Sequence, residues 1–322
     1  MKAAVYYETG GPEVLRYEEV PDPELRPRGI IIEVKAIGIQ GGDTLHRSRG
    51  VLASVPHIVG YQAAGTVRDV GEGVTQFKVG QPVVATMSNG SHAELVSVAA
   101  RAAYAIPNGL TIEQAAAIPI EFGTAADCLF EFGKLKAEET VLIHAGASGV
   151  GLAGVQLAKR AGATVLATAS SDDRLERLKE FGLDHGINYV TGDWTATARE
   201  LTEGRGPDLI VDSVGGPVLQ QSLETVAYRG RVVSVGRAGR DDSRQDTWPL
   251  VSKNASLIGV LLGAEMAVNS GRTRQMIERL LREAAAGQLR MAIDRTFPLR
   301  EAAEAHRYIE SRQAFGRVLM TP

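Results

Sequence analysis

Between residues 140 and 235 the chain alternates short β-branched runs with amphipathic stretches of helix length, and this order limits the possible folds more than any other feature. The pattern predicts strands at 140–144, 164–169, 208–212 and 231–235, separated by helices at 149–161, 172–181 and 216–227. A strand–helix–strand unit of this length joins parallel strands through a right-handed crossover. Repeated, it builds a doubly wound parallel sheet of the Rossmann kind, an α/β fold with helices on both faces.

The first strand-to-helix turn is the most chemically specific segment. Val141-Leu142-Ile143 runs into His144-Ala145-Gly146-Ala147-Ser148-Gly149-Val150-Gly151, and a helical stretch follows at 152–160. A turn this poor in side chains lets backbone N–H groups reach a pyrophosphate, and the helix N-terminus behind it favours negative charge. Gly146 and Gly151 fill the outer positions of a G-x-G-x-x-G spacing, whereas Ser148 takes the middle one. Glycines alone would serve any sharp turn. The flanking strand and helix favour a dinucleotide site over a bare structural turn.

The end of the next strand bears on which dinucleotide. An acid there would bond a ribose 2′-hydroxyl and repel a 2′-phosphate. Here Ala169 holds that place, followed by Ser170, Ser171 and, one turn on, Arg174. Hydroxyls and a guanidinium suit a phosphate, which favours NADPH over NADH. Asp172 and Asp173 could oppose it, unless they serve the first turn of a helix, in which case Arg174 could equally be solvated.

The rest of the chain is β-rich. Strand-like runs occur at 30–36, 65–70 and 83–85, and Thr111 with Gln114 three residues on marks a helix start. An edge strand is expected at 256–262, a helix at 273–286 with Met276, Ile277, Leu280, Leu281 and Ala284 on one face, and a last strand at 316–320. The layout expected is a β-rich domain from 1–118 and 259–322, interrupted by a nucleotide domain at 119–258. With 322 residues both can hold a core. A net charge of -3 offers no electrostatic reason to expect nucleic acid or a membrane surface. The single cysteine, Cys128, excludes an internal disulfide and a structural zinc site of several cysteines, and its apolar setting reads as core. Glu8 arrives too early for a signal peptide and no apolar run approaches bilayer length, so a cytoplasmic enzyme is expected.

Further segments carry a family resemblance. They are Gly60-Tyr61-Gln62-Ala63-Ala64-Gly65, Val70-Gly71-Glu72-Gly73-Val74, Phe77-Lys78-Val79-Gly80, Glu113–Pro119, His144–Gly151 with Gln156, Asp184–Tyr189, Val211–Gly216 and Gly230–Gly236. Over essentially its whole length the chain resembles the zinc-independent quinone oxidoreductase (zeta-crystallin-like) branch of the medium-chain dehydrogenase/reductases. The resemblance implies a GroES-like catalytic domain beside the Rossmann domain, a homodimer built through the nucleotide domains, and NADPH-dependent reduction of quinones or activated C=C bonds. Positions that carry zinc ligands in metal-dependent relatives hold Gln40, Tyr61 and Ile120, so no metal site is expected. The family pattern also puts Thr124 by the nicotinamide, Ser148, Gly149 and Val150 at the pyrophosphate, and Ser170, Ser171, Arg174 and Tyr189 at the 2′-phosphate and adenosine end. Val214, Val235, Gly236 and Leu261 would line the nicotinamide side, although core packing equally explains the valines and the leucine.

Relatives often carry Asn at the position of Gln40 and Tyr at that of Leu45, so the acceptor pocket differs here. Hydride transfer to an enone, enal or quinone needs a hydrogen-bond donor for the developing oxyanion. Gln40 and Tyr61 are the expected donors. Tyr61 bonded to backbone and Gln40 at the surface are the structural alternatives. Glu121 is a further polar residue expected to face the cleft, His144 is expected to be packed, and His92 is the one histidine expected to be exposed there. An NADPH-dependent carbonyl reductase and an NADPH-binding sensor remain open alternatives.

Overall fold

Six strands of the central segment pair in parallel: β1 (Thr140–Ile143), β2 (Thr164–Ala169), β3 (His185–Asn188), β4 (Leu209–Asp212), β5 (Arg231–Ser234) and β6 (Ser256–Gly259). Their spatial order is β3-β2-β1-β4-β5-β6. This is the dinucleotide-binding order, with its switch point between β1 and β4, where ligands sit beyond the strand C-termini. Val141, Leu142 and Ile143 are all buried, as a strand covered on both faces requires.

Helices α1 (Gly149–Arg160), α2 (Asp172–Lys179), α3 (Trp194–Glu200) and α4 (Gly216–Thr225) link the first five strands, and the short helix Trp248–Val251 precedes β6. Ser148, Ser171 and Asp193 cap the first three through side-chain oxygens, each satisfying an orphan first-turn N–H. The core between the sheet and one helical layer contains Leu142, Leu166, Ile187, Trp194, Ile210, Leu223 and Val232. Each such side chain contributes about 1.5–3 kcal/mol on burial.

The structure, a computed structural model, describes residues 1–322. It divides into two compact units: Met1–Ile120 with Arg274–Pro322, and Glu121–Thr273, which carries the parallel sheet. The sequence expectation set the return at 259. Here 259–273 stays with the second unit, because β6 stops at Gly259 and Leu261 caps a helix, Leu262–Val268.

In the first unit a seven-stranded sheet runs Ile293–Pro298, Arg317–Thr321, Gly29–Gly38, Gln62–Val70, Pro82–Thr86, Ala103–Ala105, with Leu95–Ala99 also on Gly29–Gly38. All its pairings are antiparallel except the first. The C-terminal segment rejoins the first by pairing Met320 with Ile37 and Leu319 with Gly38. Ile30, Ile32, Val34, Val67, Val83 and Met320 are among the residues filling the interior. Thr111 and Gln114 form the expected capping box.

Candidate functional site

The glycine-rich turn depends on missing side chains. A Cβ on Gly151 would lie 2.3 Å from the Ala145 carbonyl oxygen and 2.8 Å from Gly146 Cα, and one on Gly146 would meet Ala167 Cβ at 2.7 Å. Helix α1 therefore starts flush against the turn. Ala145 sits at φ 52, in the left-handed region. Ser148, at the middle position, is exposed, and its Oγ accepts from Gly151 N–H at 3.1 Å. That leaves the N–H groups of Gly149 and Val150, in the first turn, for an outside acceptor.

Beyond β2 the expected phosphate-binding residues come together. Arg174 Nη1 donates to Ser170 Oγ at 2.8 Å, and Ser171 Oγ accepts from Arg174 N–H at 3.4 Å as the α2 cap. Arg174 is half-buried and held, not freely solvated. Asp172 and Asp173 are exposed in the first turn of α2, and Asp172 accepts from Asn188 Nδ2 at 2.9 Å. Tyr189 is 44% exposed, and its N–H donates to Ala169 O at 3.2 Å, which sets it beside the same corner.

The C-terminal ends of β4, β5 and β6 also meet. Asp212, fully buried, accepts from Val214 N–H at 2.6 Å and Gly215 N–H at 2.8 Å, while burial pushes its carboxyl up. Val235 N–H donates to Asp212 O at 2.8 Å, and a Cβ on Gly236 would lie 2.9 Å from Ser213 O. Gly236 and Leu261 line one cavity of about 640 Å³ with Ser234, Arg237 and Phe132. Core packing does not account for Leu261, which is 69% exposed, whereas both valines are partly buried. Thr124 is buried on the helix Pro119–Ala126, and Glu121, on the same helix, is fully buried.

In the first unit Gln40 caps the helix Gly41–Arg49, and its N–H donates to Asp43 Oδ2 at 2.7 Å. Gln40 is only 5% exposed, so it is not surface decoration. The Tyr61 ring packs on Gly42, where a Cβ would meet it at 2.7 Å, and its hydroxyl donates to Gly42 O at 3.3 Å. Both expected donors thus flank the start of one helix. Burial, then Asp43 and Tyr6, push the Tyr61 phenol up to about 12. Gln62 instead braces the unit: its amide donates to Ala116 O at 2.8 Å and its carbonyl accepts from Ile120 N–H at 3.1 Å.

One histidine assignment is corrected. His92 is fully buried, with Nε2 2.9 Å from His306 Nε2, and burial pulls its pKa down to about 3. The same network continues from His306 Nδ1 to Arg47 Nη1 at 3.2 Å and from Arg47 to Glu310 at 2.5 Å. Sequence reasoning missed this cluster because His306 lies 214 residues from His92. It also missed Arg272, which forks onto buried Asp127 at 2.7 and 3.2 Å and reaches Glu265 at 2.8 Å. No short-range pattern announces either. Cys128 is buried and free, as expected of a core thiol.

No group of three or more His, Cys, Asp or Glu side chains is placed to hold a metal ion. No helix is long and apolar enough to cross a membrane.

Comparison with known proteins agrees with this architecture. The alcohol dehydrogenase GroES-like domain matches residues 26–108 and the zinc-binding dehydrogenase family matches 149–286. The chain is 33% identical to a Burkholderia 2-haloacrylate reductase, covering 99% of this chain and 98% of that one. It is 33% identical to a Pseudomonas aeruginosa quinone oxidoreductase, over 97% of each. Among solved structures, Escherichia coli quinone oxidoreductase complexed with NADPH superposes with a TM-score of 0.94, at 29% identity over 100% of both chains. With the Rossmann strand order, the GroES-like match and full-length similarity together, the chain belongs to the medium-chain dehydrogenase/reductase oxidoreductases, in their zinc-independent quinone oxidoreductase branch.

Proposed function

We propose that this chain is an NADPH-dependent reductase that delivers hydride, without zinc, to a quinone or to the activated C=C bond of an enone or enal. The observation that carries the cofactor assignment is Arg174 held by Ser170 at 2.8 Å beside a strand end that has Ala169 instead of an acid. The cradle fits a dinucleotide: Gly146 and Gly151, where a Cβ would strike the neighbouring chain, let helix α1 start flush against the turn, and Gly149 and Val150 offer first-turn donors. Ser148 caps the helix at the pyrophosphate, while Ser170, Ser171, Arg174 and Tyr189 hold the 2′-phosphate end. Thr124, Val214, Val235, Gly236 and Leu261 line the nicotinamide end. When bound, NADPH supplies the hydride.

Gln40 and Tyr61 supply the hydrogen bonds that stabilise negative charge growing on the acceptor oxygen. Leaving Gly42 O costs Tyr61 little, since a 3.3 Å bond is at the weak end of the range. Its raised pKa keeps the phenol protonated at neutral pH, so it stays a donor. The same high pKa makes it a reluctant acid, and solvent delivers the proton that completes the reduction. The named activities of the relatives support both acceptor classes, since a 2-haloacrylate is an activated alkene. Within the parallel sheet, β6 is an edge strand with Leu257 and, beyond it, Leu261 exposed. This supports a homodimer through the second unit, which light scattering would test.

A panel of quinones, enones, enals and ketones with NADPH, followed at 340 nm, tests the reading. Turnover of quinones or enones is expected. Turnover of ketones alone would make it a carbonyl reductase, and tight NADPH binding without oxidation would make it a sensor. Tyr61→Phe is expected to lose activity while binding NADPH normally; full activity would remove Tyr61 from the mechanism.

A further inference from the structure

Four polar groups form a chain that ends at the pyrophosphate turn. Ser222 Oγ donates to Val218 O at 2.8 Å, so its proton is committed. His144 Nε2, 3.1 Å from Ser222 Oγ, must therefore be the donor there. Burial pulls the His144 pKa down to about 3, so the ring is neutral and its Nδ1 accepts from Thr168 Oγ1 at 3.1 Å. Thr168 Oγ1, with its proton given to the ring, accepts from Ala145 N–H at 3.3 Å. Each group's role follows from the one before it, and Trp194, edge-on to the imidazole at 4.6 Å, packs against the ring. The chain ends on the residue held at φ 52, whose carbonyl oxygen a Cβ on Gly151 would strike.

We infer that His144 and Thr168 are positioning residues for the cofactor turn: they touch no substrate but hold the left-handed Ala145 in the conformation that presents Gly149 and Val150. The inference rests on the dinucleotide reading above. A left-handed non-glycine residue is intrinsically unfavourable, so it persists only where its surroundings determine it.

Thr168→Val keeps the shape and removes the hydroxyl. In the ligand-free protein, hydrogen–deuterium exchange at the Ala145 amide is expected to speed up about 10-fold, and the NADPH Kd by fluorescence titration to rise about 5-fold to 10-fold. Thr168→Ser restores both. The kcat at saturating NADPH stays at the wild-type value, because no reacting atom is touched. His144→Phe raises Kd similarly, and the double variant is no worse than either single one, since all act through one chain. Wild-type Kd and exchange in Thr168→Val, or effects that multiply in the double variant, would overturn the positioning role while leaving the cofactor assignment intact. Failure of the wild-type protein to bind NADPH would instead overturn the dinucleotide reading, and this inference with it.

Discussion

Replacing Arg174 with alanine gives the sharpest view of cofactor choice. Its guanidinium is half-buried and oriented by Ser170, 2.8 Å away, so it is poised rather than mobile. A hydrogen bond to a charged partner is worth about 1.5–3 kcal/mol. Partial exposure screens it, so the lower end applies, about 1.5–2 kcal/mol. At about 1.4 kcal/mol per decade this is roughly a 10-fold to 30-fold rise in the Kd for NADPH. NADH lacks the 2′-phosphate and should bind Arg174→Ala as it binds the wild type. Ser170→Ala, which frees the guanidinium without removing it, should cost about 3-fold on NADPH only. Fluorescence titration with each nucleotide reads both numbers. Equal weakening of NADPH and NADH, or no weakening of either, would refute the assignment of this corner to the 2′-phosphate.

Other consequences follow from the same geometry. Gly151→Ala forces a Cβ against Ala145 O and Gly146 Cα, both backbone, so NADPH binding should fall more than about 10-fold, with overpacking costing about 1–3 kcal/mol of stability; normal binding would show that the turn can open. Arg231 makes five bonds, to Gly133 O, Asp208 O, Lys134 O and both oxygens of Glu139. Arg231→Ala should cost about 2–4 kcal/mol in urea unfolding of the intact protein, and a loss under 1 kcal/mol would mean the network relaxes. Burial lowers His92, His144 and His306 below the ordinary value, with His92 and His144 down to about 3. Their contribution is full above about pH 6.5 and lost as pH falls, because the unfolded state binds their protons first. Asp127 and Asp212, pushed up by burial, titrate in the opposite sense and offset part of this. The unfolding free energy from urea titrations should drop steeply from pH 7 to pH 5, with a slope of order 2–4 kcal/mol per pH unit from the three rings; a flat profile would contradict neutral burial of these rings.

The parallel sheet was legible because its strands are short, continuous apolar runs and its helices are amphipathic. Strand β3 escaped because His185-Gly186-Ile187-Asn188 contains one buried apolar residue, Ile187, and α3 because only Trp194 and Ala198 of its seven residues are buried. The cofactor corner was readable because its parts are local: Ser170, Ser171 and Arg174 fall within five residues, and caps act over three. Exposure was not. His92 is buried by a partner 214 residues away, and Leu261 is exposed because β6 ends two residues before it. The Asp127–Arg272 fork joins positions 145 residues apart, and only the folded chain brings them together.

The central claim is that hydride reaches an activated acceptor without a metal. Protein dialysed against a chelator, given NADPH deuterated at the transferable C4 position and a cyclic enone, should yield saturated ketone with deuterium on the β-carbon by NMR. Deuterium on the carbonyl carbon, or turnover that appears only when zinc is restored, would contradict the account.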